Sequence, residues 1–220
     1  MNINDYILKD LKTLRLDSLV KSAQKQCKNF PITHIPVVEN GKLVGSFAQS
    51  DVQTIENSED EISNYSYLFE SFFADEKATV LELLKLFADN DCNIIPVLNA
   101  DKNYIGYYDL SDVLDVFANS PFLYDESATL VVEKNEKEYS MSEIARLVES
   151  EGASILSSLV TSRTNAHLVE ITLKINRQEL RAIINTFQRF NYNVKASFQE
   201  NDYTQSLKER YDSLMKYLEV

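Results

Sequence analysis

Two stretches of the chain share one hydrophobic rhythm. Val20, Ala23 and Cys27 recur sixty positions later as Val80, Leu83 and Phe87. Both triplets have the i, i+3, i+7 spacing of a helix with one apolar face. Thr79 and Glu82 stand as T-x-x-E ahead of the second stripe, the signature of a capping box. Each stripe is followed by a short apolar run, HIPVV at 34–38 or IIPVL at 94–98. A turn-forming stretch comes next, ENGK or NADKN, and then a second run, LVG or YIG. Two apolar runs across such a turn predict a β-hairpin. The second turn is one residue longer, so the offset becomes 61 from Gly45/Gly106 to Asp51/Asp112. Each of these aspartates opens a short helix, DVQTI or DVLDVF, where an acid suits the positive end of the helix dipole. The unit helix–strand–strand–helix therefore occurs twice, over about residues 1–60 and 61–120. A lone unit of this size buries too little surface to be stable by itself, which predicts that the two pack together.

From Pro121 the pattern changes. TLVVEK at 129–134 is a strand candidate, and SMSEIARLVESEG reads as a helix with Ser140 and Glu143 at its start and Gly152 at its end. SILSSLVT follows, then the turn SRTNA. Val169, Ile171, Leu173 and Ile175 next alternate with Glu170, Thr172 and Lys174, the pattern of a half-buried strand. Asn176 and Glu179 open a second helix carrying Leu180, Ile183, Ile184 and Phe187 on one face, and NVKASF closes the set. The order β-α-β-β-α-β over 127–199 is the ferredoxin-like plan, and the fold class is α+β. The tail 201–220 places Leu207, Tyr211, Leu214 and Leu218 on one helical face, either docked on its own domain or used for association. Between the repeats, the charges and turn formers of 56–66 indicate a solvated linker, and YLFESFF at 67–73 a return to buried chain.

The order helix, h-P-V strand, hairpin, G-h-h-x-x-x-D and short helix resembles a CBS domain, and the tandem copy over 1–120 resembles a CBS pair. The resemblance implies two clefts that often hold adenosine nucleotides. It implies that Asp51 and Asp112 take the ribose hydroxyls, and that the positions three residues earlier help to hold ribose and phosphate. Those positions carry Thr or Ser in the family and are Ala48 and Asp109 here. The same resemblance adds Ile35, Pro36, Ile95 and Pro96 of the h-P-V strands to the ligand-binding residues. Alanine offers no hydrogen bond in place of the hydroxyl. A second negative charge about 4 Å from a phosphate is unfavourable by roughly 4 kcal/mol at the effective dielectric of a protein surface. Phosphorylated ligands are therefore disfavoured. The structural role open to Asp51 and Asp112 is to start their helices.

The second half resembles an ACT domain, a family whose members commonly bind amino acids and control partner enzymes or domains. Its ligands usually sit near a glycine-containing loop after the first strand. Here that loop is KNEKEYS, with no glycine to let backbone approach a ligand closely. An RNA-recognition module shares the plan, but TLVVEK offers no stacking aromatic. The tandem is similar to acetoin-utilisation-type regulatory proteins.

Charge and chemistry narrow the function. The net charge is −12, and the first 120 residues hold 19 acids against 10 bases, which disfavours nucleic acid and anionic membrane surfaces. Cys27 and Cys92 read as reduced filler, and no leader or 18-residue apolar run appears, so a cytoplasmic protein is expected. With four glycines there is no Walker loop or dinucleotide fingerprint. His34, in a core strand, and His167, after a polar turn, have no nucleophile or metal-ligand partner at recognisable spacing, so an enzyme is not expected. No cofactor is implied beyond the adenosine-containing ligand, and a homodimer or higher homo-oligomer follows from both resemblances. Two readings stay open: a module that senses a small molecule, and a ligand-free scaffold that has lost nucleotide binding.

Overall fold

The stripe Val20, Ala23, Cys27 becomes the buried face of α1 (Val20–Asn29). A hairpin of β1 (His34–Glu39) and β2 (Lys42–Ala48) follows, then α2 (Gln49–Thr54). The second copy runs β3 (Ala74–Asp75), α3 (Val80–Asp89), β4 (Ile94–Leu98), β5 (Tyr104–Asp109) and α4 (Leu110–Ala118). The computed structural model describes residues 3–120, 123, 127–164 and 167–199. The helix expected at 201–220 lies outside the described residues. Contacts divide the chain into Met1–Ala118 and Asn119–Val220.

The duplication extends to detail. Both hairpins carry a β-bulge at the same place, after Val37 and after Val97. Thr79 forms the full capping box with Glu82 at the start of α3. Each repeat also begins with a short parallel pairing, Leu14 to Val37 in the first and Ala74 to Val97 in the second.

The two repeats interlock rather than merely touch. Leu8, from the chain's lead-in, bridges Tyr107 of the second hairpin, and Glu70, from the lead-in of the second repeat, bridges Ser46 of the first. Ile94 and Tyr107 join the apolar core of the first repeat, and Ile3 joins that of the second. Each crossing passes over a glycine. A Cβ on Gly106, whose φ is +146°, would lie 2.3 Å from Leu8 O, and one on Gly45 would lie 2.8 Å from Phe69 Cβ. At the centre, the repeat-equivalent Thr33 and Asn93 bond each other: Thr33 N donates to Asn93 Oδ1 at 2.8 Å, and Asn93 N to Thr33 Oγ1 at 2.9 Å.

The segment between the repeats departs from expectation. Its backbone is docked, not merely solvated: Val20 N donates to Asp60 O and Ile62 N to Ser18 O, with Ile62 fully buried. The following YLFESFF buries only Phe72, because it runs as the crossing strand with one side to solvent; Tyr67 is 76% exposed.

The second unit forms a four-stranded antiparallel sheet in the order β7-β8-β6-β9, from β6 (Ala128–Asn135), β7 (Ile155–Arg163), β8 (Leu168–Ile175) and β9 (Asn193–Gln199). The helices α5 (Met141–Ser150) and α6 (Arg181–Arg189) supply Ile144, Val148, Ile183 and Phe187 to a core with Leu130, Ile171 and Leu173. This is the ferredoxin-like arrangement. Asn176 does not start α6; its Oδ1 accepts from Ser154 N instead, while Glu179 does accept from Arg181 N. Among the described residues no helix is long and apolar enough to cross a membrane.

Candidate functional site

The first cleft opens where β1 ends its approach to β2 and the second repeat's lead-in crosses. Its volume is about 300 Å³. Thr33, His34, Ala48, Gln49 and Ser50 line it from the first repeat, and Glu70, Asn90 and Asp91 from the second. Gln49 N donates to Thr33 O at 2.7 Å, which ties the start of α2 to the mouth of β1. Ala48 is the N-cap of α2 and gives it no side-chain hydrogen bond.

His34 is the polar floor of this cleft. It is 5% exposed, its Nδ1 lies 3.0 Å from Thr33 Oγ1, and Phe72 meets its ring edge-on at 5.1 Å between centroids. Its Nε2 is buried without a hydrogen-bond partner among the described residues, and stands 3.4 Å from Glu70 Oε2. Glu70 is held by its backbone, whose N–H donates to Ser46 O at 2.9 Å and whose carbonyl accepts from Ser46 N at 2.8 Å. Close by, the Cys92 thiol is pushed up to about 11 by burial, with Glu70 and Asp91 adding to the rise. The cleft is thus a region of negative potential, and no Lys or Arg lines it.

The equivalent place in the second repeat differs. Ile94 stands where the first has His34, and Leu8 crosses where the first has Glu70. Asp109 caps α4: its Oδ1 accepts from Ser111 N at 2.8 Å and from the Ser111 hydroxyl. Asp112, half-buried in the first turn of α4, has its carboxyl raised above the ordinary range by burial and by Asp109, Asp115 and Asp10. Asp10 in turn accepts from Tyr107 OH at 2.8 Å.

Of the residues singled out from the sequence, Ala48 lines the first cleft. Asp51 sits half-buried on the first turn of α2, outside that lining. Ile35 and Ile95 are fully buried in the two repeat cores, and Pro36 and Pro96 are buried beside them in β1 and β4. Asp109 and Asp112 share one helix start. His34 and Glu70 were not singled out as ligands: a histidine in an apolar strand carries the same sequence signature whether it packs or faces a cleft, and Glu70 gains its place only through the crossing. A larger hollow of about 440 Å³ runs along α3 from Phe73 to Asp89, but no buried side-chain polar atom lining it lacks a partner among the described residues. No group of three or more His, Cys, Asp or Glu gathers for a metal among the described residues.

A family model described as CBS domain matches residues 3–55 and 70–119. An uncharacterized protein of Methanocaldococcus jannaschii is 23% identical over 114 residues, 52% of this chain and 43% of that protein. The inosine-5′-monophosphate dehydrogenase of the same organism is 28% identical over 112 residues, 50% of this chain and 22% of the enzyme. The chain spans less than half the length of these curated relatives. Among solved structures, a CBS domain pair/ACT domain protein from Thermotoga maritima is 17% identical with a TM-score of 0.48, over 53% of this chain and 96% of that one. CBSX2, solved in complex with AMP, is 18% identical with a TM-score of 0.44, over 53% of this chain and 95% of its own.

Proposed function

Because residues 3–55 and 70–119 form a tandem CBS pair, we propose that the protein is a non-enzymatic regulatory module that senses an adenosine-type small molecule between its repeats. CBS domains are regulatory, ligand-binding modules, and the dehydrogenase relative matches over about half of this chain and 22% of its own length. In this reading residues 1–120 are the sensor, and 127–199 are an ACT-like domain that carries the signal in a cytoplasmic homo-oligomer. The observation that carries it is the first cleft: about 300 Å³, walled by both repeats, with a buried imidazole nitrogen unpartnered at its floor. A ligand held by both repeats changes how firmly they are held together, and that change can pass to the rest of the chain.

Thermal denaturation of the full chain tests this. A ligand at one hundred times its Kd stabilises the folded state by about 2.7 kcal/mol, so adenosine or a close relative should raise Tm in a dose-dependent way. No shift with any adenosine compound would reject the reading.

The second reading, a ligand-free scaffold, is favoured by the second cleft. There Asp109 is committed to capping and Asp112 lies among other acids, an arrangement hostile to a nucleotide phosphate. Under that reading the same titrations leave Tm unchanged, while light scattering still reports a stable oligomer.

A further inference from the structure

We propose that the first cleft is built for a nucleoside that presents an N–H donor and carries no phosphate, with His34 Nε2 and the Glu70 carboxylate as the acceptor pair that reads the donor. This deepens the adenosine-type reading and rests on it. The protonation of His34 follows from counting hydrogen bonds. The Thr33 hydroxyl gives its one proton to Asn93 Oδ1 at 3.0 Å and accepts from Asn93 N at 2.9 Å. Towards His34 Nδ1, 3.0 Å away, it can only accept, so Nδ1 bears the hydrogen. In the neutral imidazole Nε2 is then a bare lone pair.

That lone pair lies 3.4 Å from Glu70 Oε2, so two acceptors converge on the cleft with no proton between them. A buried acceptor without a donor is unfavourable, and a ligand N–H entering between the pair removes the penalty. Neither acceptor is free to swing aside. Phe72 and Thr33 fix the imidazole, and two backbone bonds to Ser46 fix the root of Glu70. The pair is therefore preorganised on strands rather than assembled on binding.

The remainder of the lining sets the charge of the ligand. Glu70 and Asp91 face the space, Gln49, Ser50 and Asn90 add neutral polar groups, and Lys and Arg are absent from the lining. A phosphate would meet two carboxylates and no counter-charge. The second repeat has Ile94 and Leu8 at the corresponding places, so the acceptor pair belongs to the first cleft alone.

Adenosine and inosine provide the test, since they differ where one has an exocyclic amine and the other a carbonyl. Isothermal titration of the full chain should show adenosine binding at least tenfold tighter than inosine, and AMP weaker than adenosine. Glu70→Gln, whose amide can donate to a carbonyl, should narrow or reverse the preference for adenosine over inosine. On the unsubstituted protein, ¹⁵N spectra of the imidazoles should show His34 as the neutral Nδ1–H form, with Nε2 shifting on addition of adenosine and the exposed His167 unmoved. Equal binding of adenosine and inosine overturns the acceptor pair yet leaves adenosine sensing standing. So does a His34 imidazolium in the free protein, which would itself fill the gap to Glu70. AMP binding tighter than adenosine overturns the exclusion of phosphate. Binding by none of the three removes this inference and the function it rests on together.

Discussion

Asp109 occupies the last residue of β5, and its carboxylate closes the first turn of α4 onto Ser111. The residue that the pattern of the repeat suggested as hostile to phosphate is thus also a helix cap, a place where Asp, Ser and Thr all serve. Ala48, at the same point of the first repeat, leaves α2 without one, and α2 runs six residues where α4 runs nine. Replacing Asp109 by Ala should lower stability by about 1 kcal/mol, measured by urea denaturation. Asp109→Thr keeps a cap and removes the charge, so its stability should stay close to that of the parent. If charge is what repels phosphate, the Thr variant alone should bind AMP more tightly in titration. Asp112 makes a second prediction at this scale. Its proton affinity is higher in the folded chain than in the unfolded one, because burial and neighbouring carboxylates oppose its charge. Stability attached to this group is therefore present below its ordinary value of 3.8 and lost as pH rises through the raised folded value. Asp112→Asn should melt higher than the parent at pH 7, and the difference should vanish in acid.

At the scale of elements, the crossings decide what the repeats can do. Gly106 accepts a φ of +146° and leaves room for Leu8 O, and both conditions fail for alanine. Gly106→Ala should cost about 3 kcal/mol from strain and overpacking together, and the Leu8 and Tyr107 amides should lose protection from hydrogen exchange. Gly45→Ala meets Phe69 Cβ with an ordinary φ, so it should cost less, about 1–2 kcal/mol. The periodic elements were readable from the sequence: both amphipathic helices of the pair, both hairpins and the order of the second unit emerge from spacing alone. The pairings Leu14–Val37 and Ala74–Val97 were not, since a contact of one or two residues has no period to detect. YLFESFF looked buried because its composition is apolar, but a strand laid across a hairpin hides only one side. The site was half readable. Ala48 was found through the repeat, whereas Glu70 enters the cleft through a tertiary crossing that leaves no local trace.

For the whole molecule, each unit has its own core and its own response to acid. In the second unit Glu143 accepts from Tyr192 OH at 2.7 Å and pairs with the almost buried Lys134 at 3.0 Å, while that ammonium also lies 4.1 Å from the centre of the Tyr192 ring. These contacts hold the Glu143 carboxyl below its ordinary value of 4.5, the hydroxyl of Tyr192 contributing most and Lys134 next. Stability from Glu143 is therefore present above 4.5 and lost as pH falls through the lowered folded value, the opposite sense to Asp112. Glu143→Gln removes the anion and leaves Lys134 without its charge partner. It should weaken the protection of buried amides such as Leu130 and Ile171 at pH 7, and the loss should shrink in acid. Asp112→Asn should instead strengthen the protection of Val113 at pH 7, with that gain also fading in acid. Hydrogen exchange on the full chain at two pH values separates these effects by unit. Equal and same-signed changes in both units would mean that the charges act through the net −12 of the chain rather than through the contacts described.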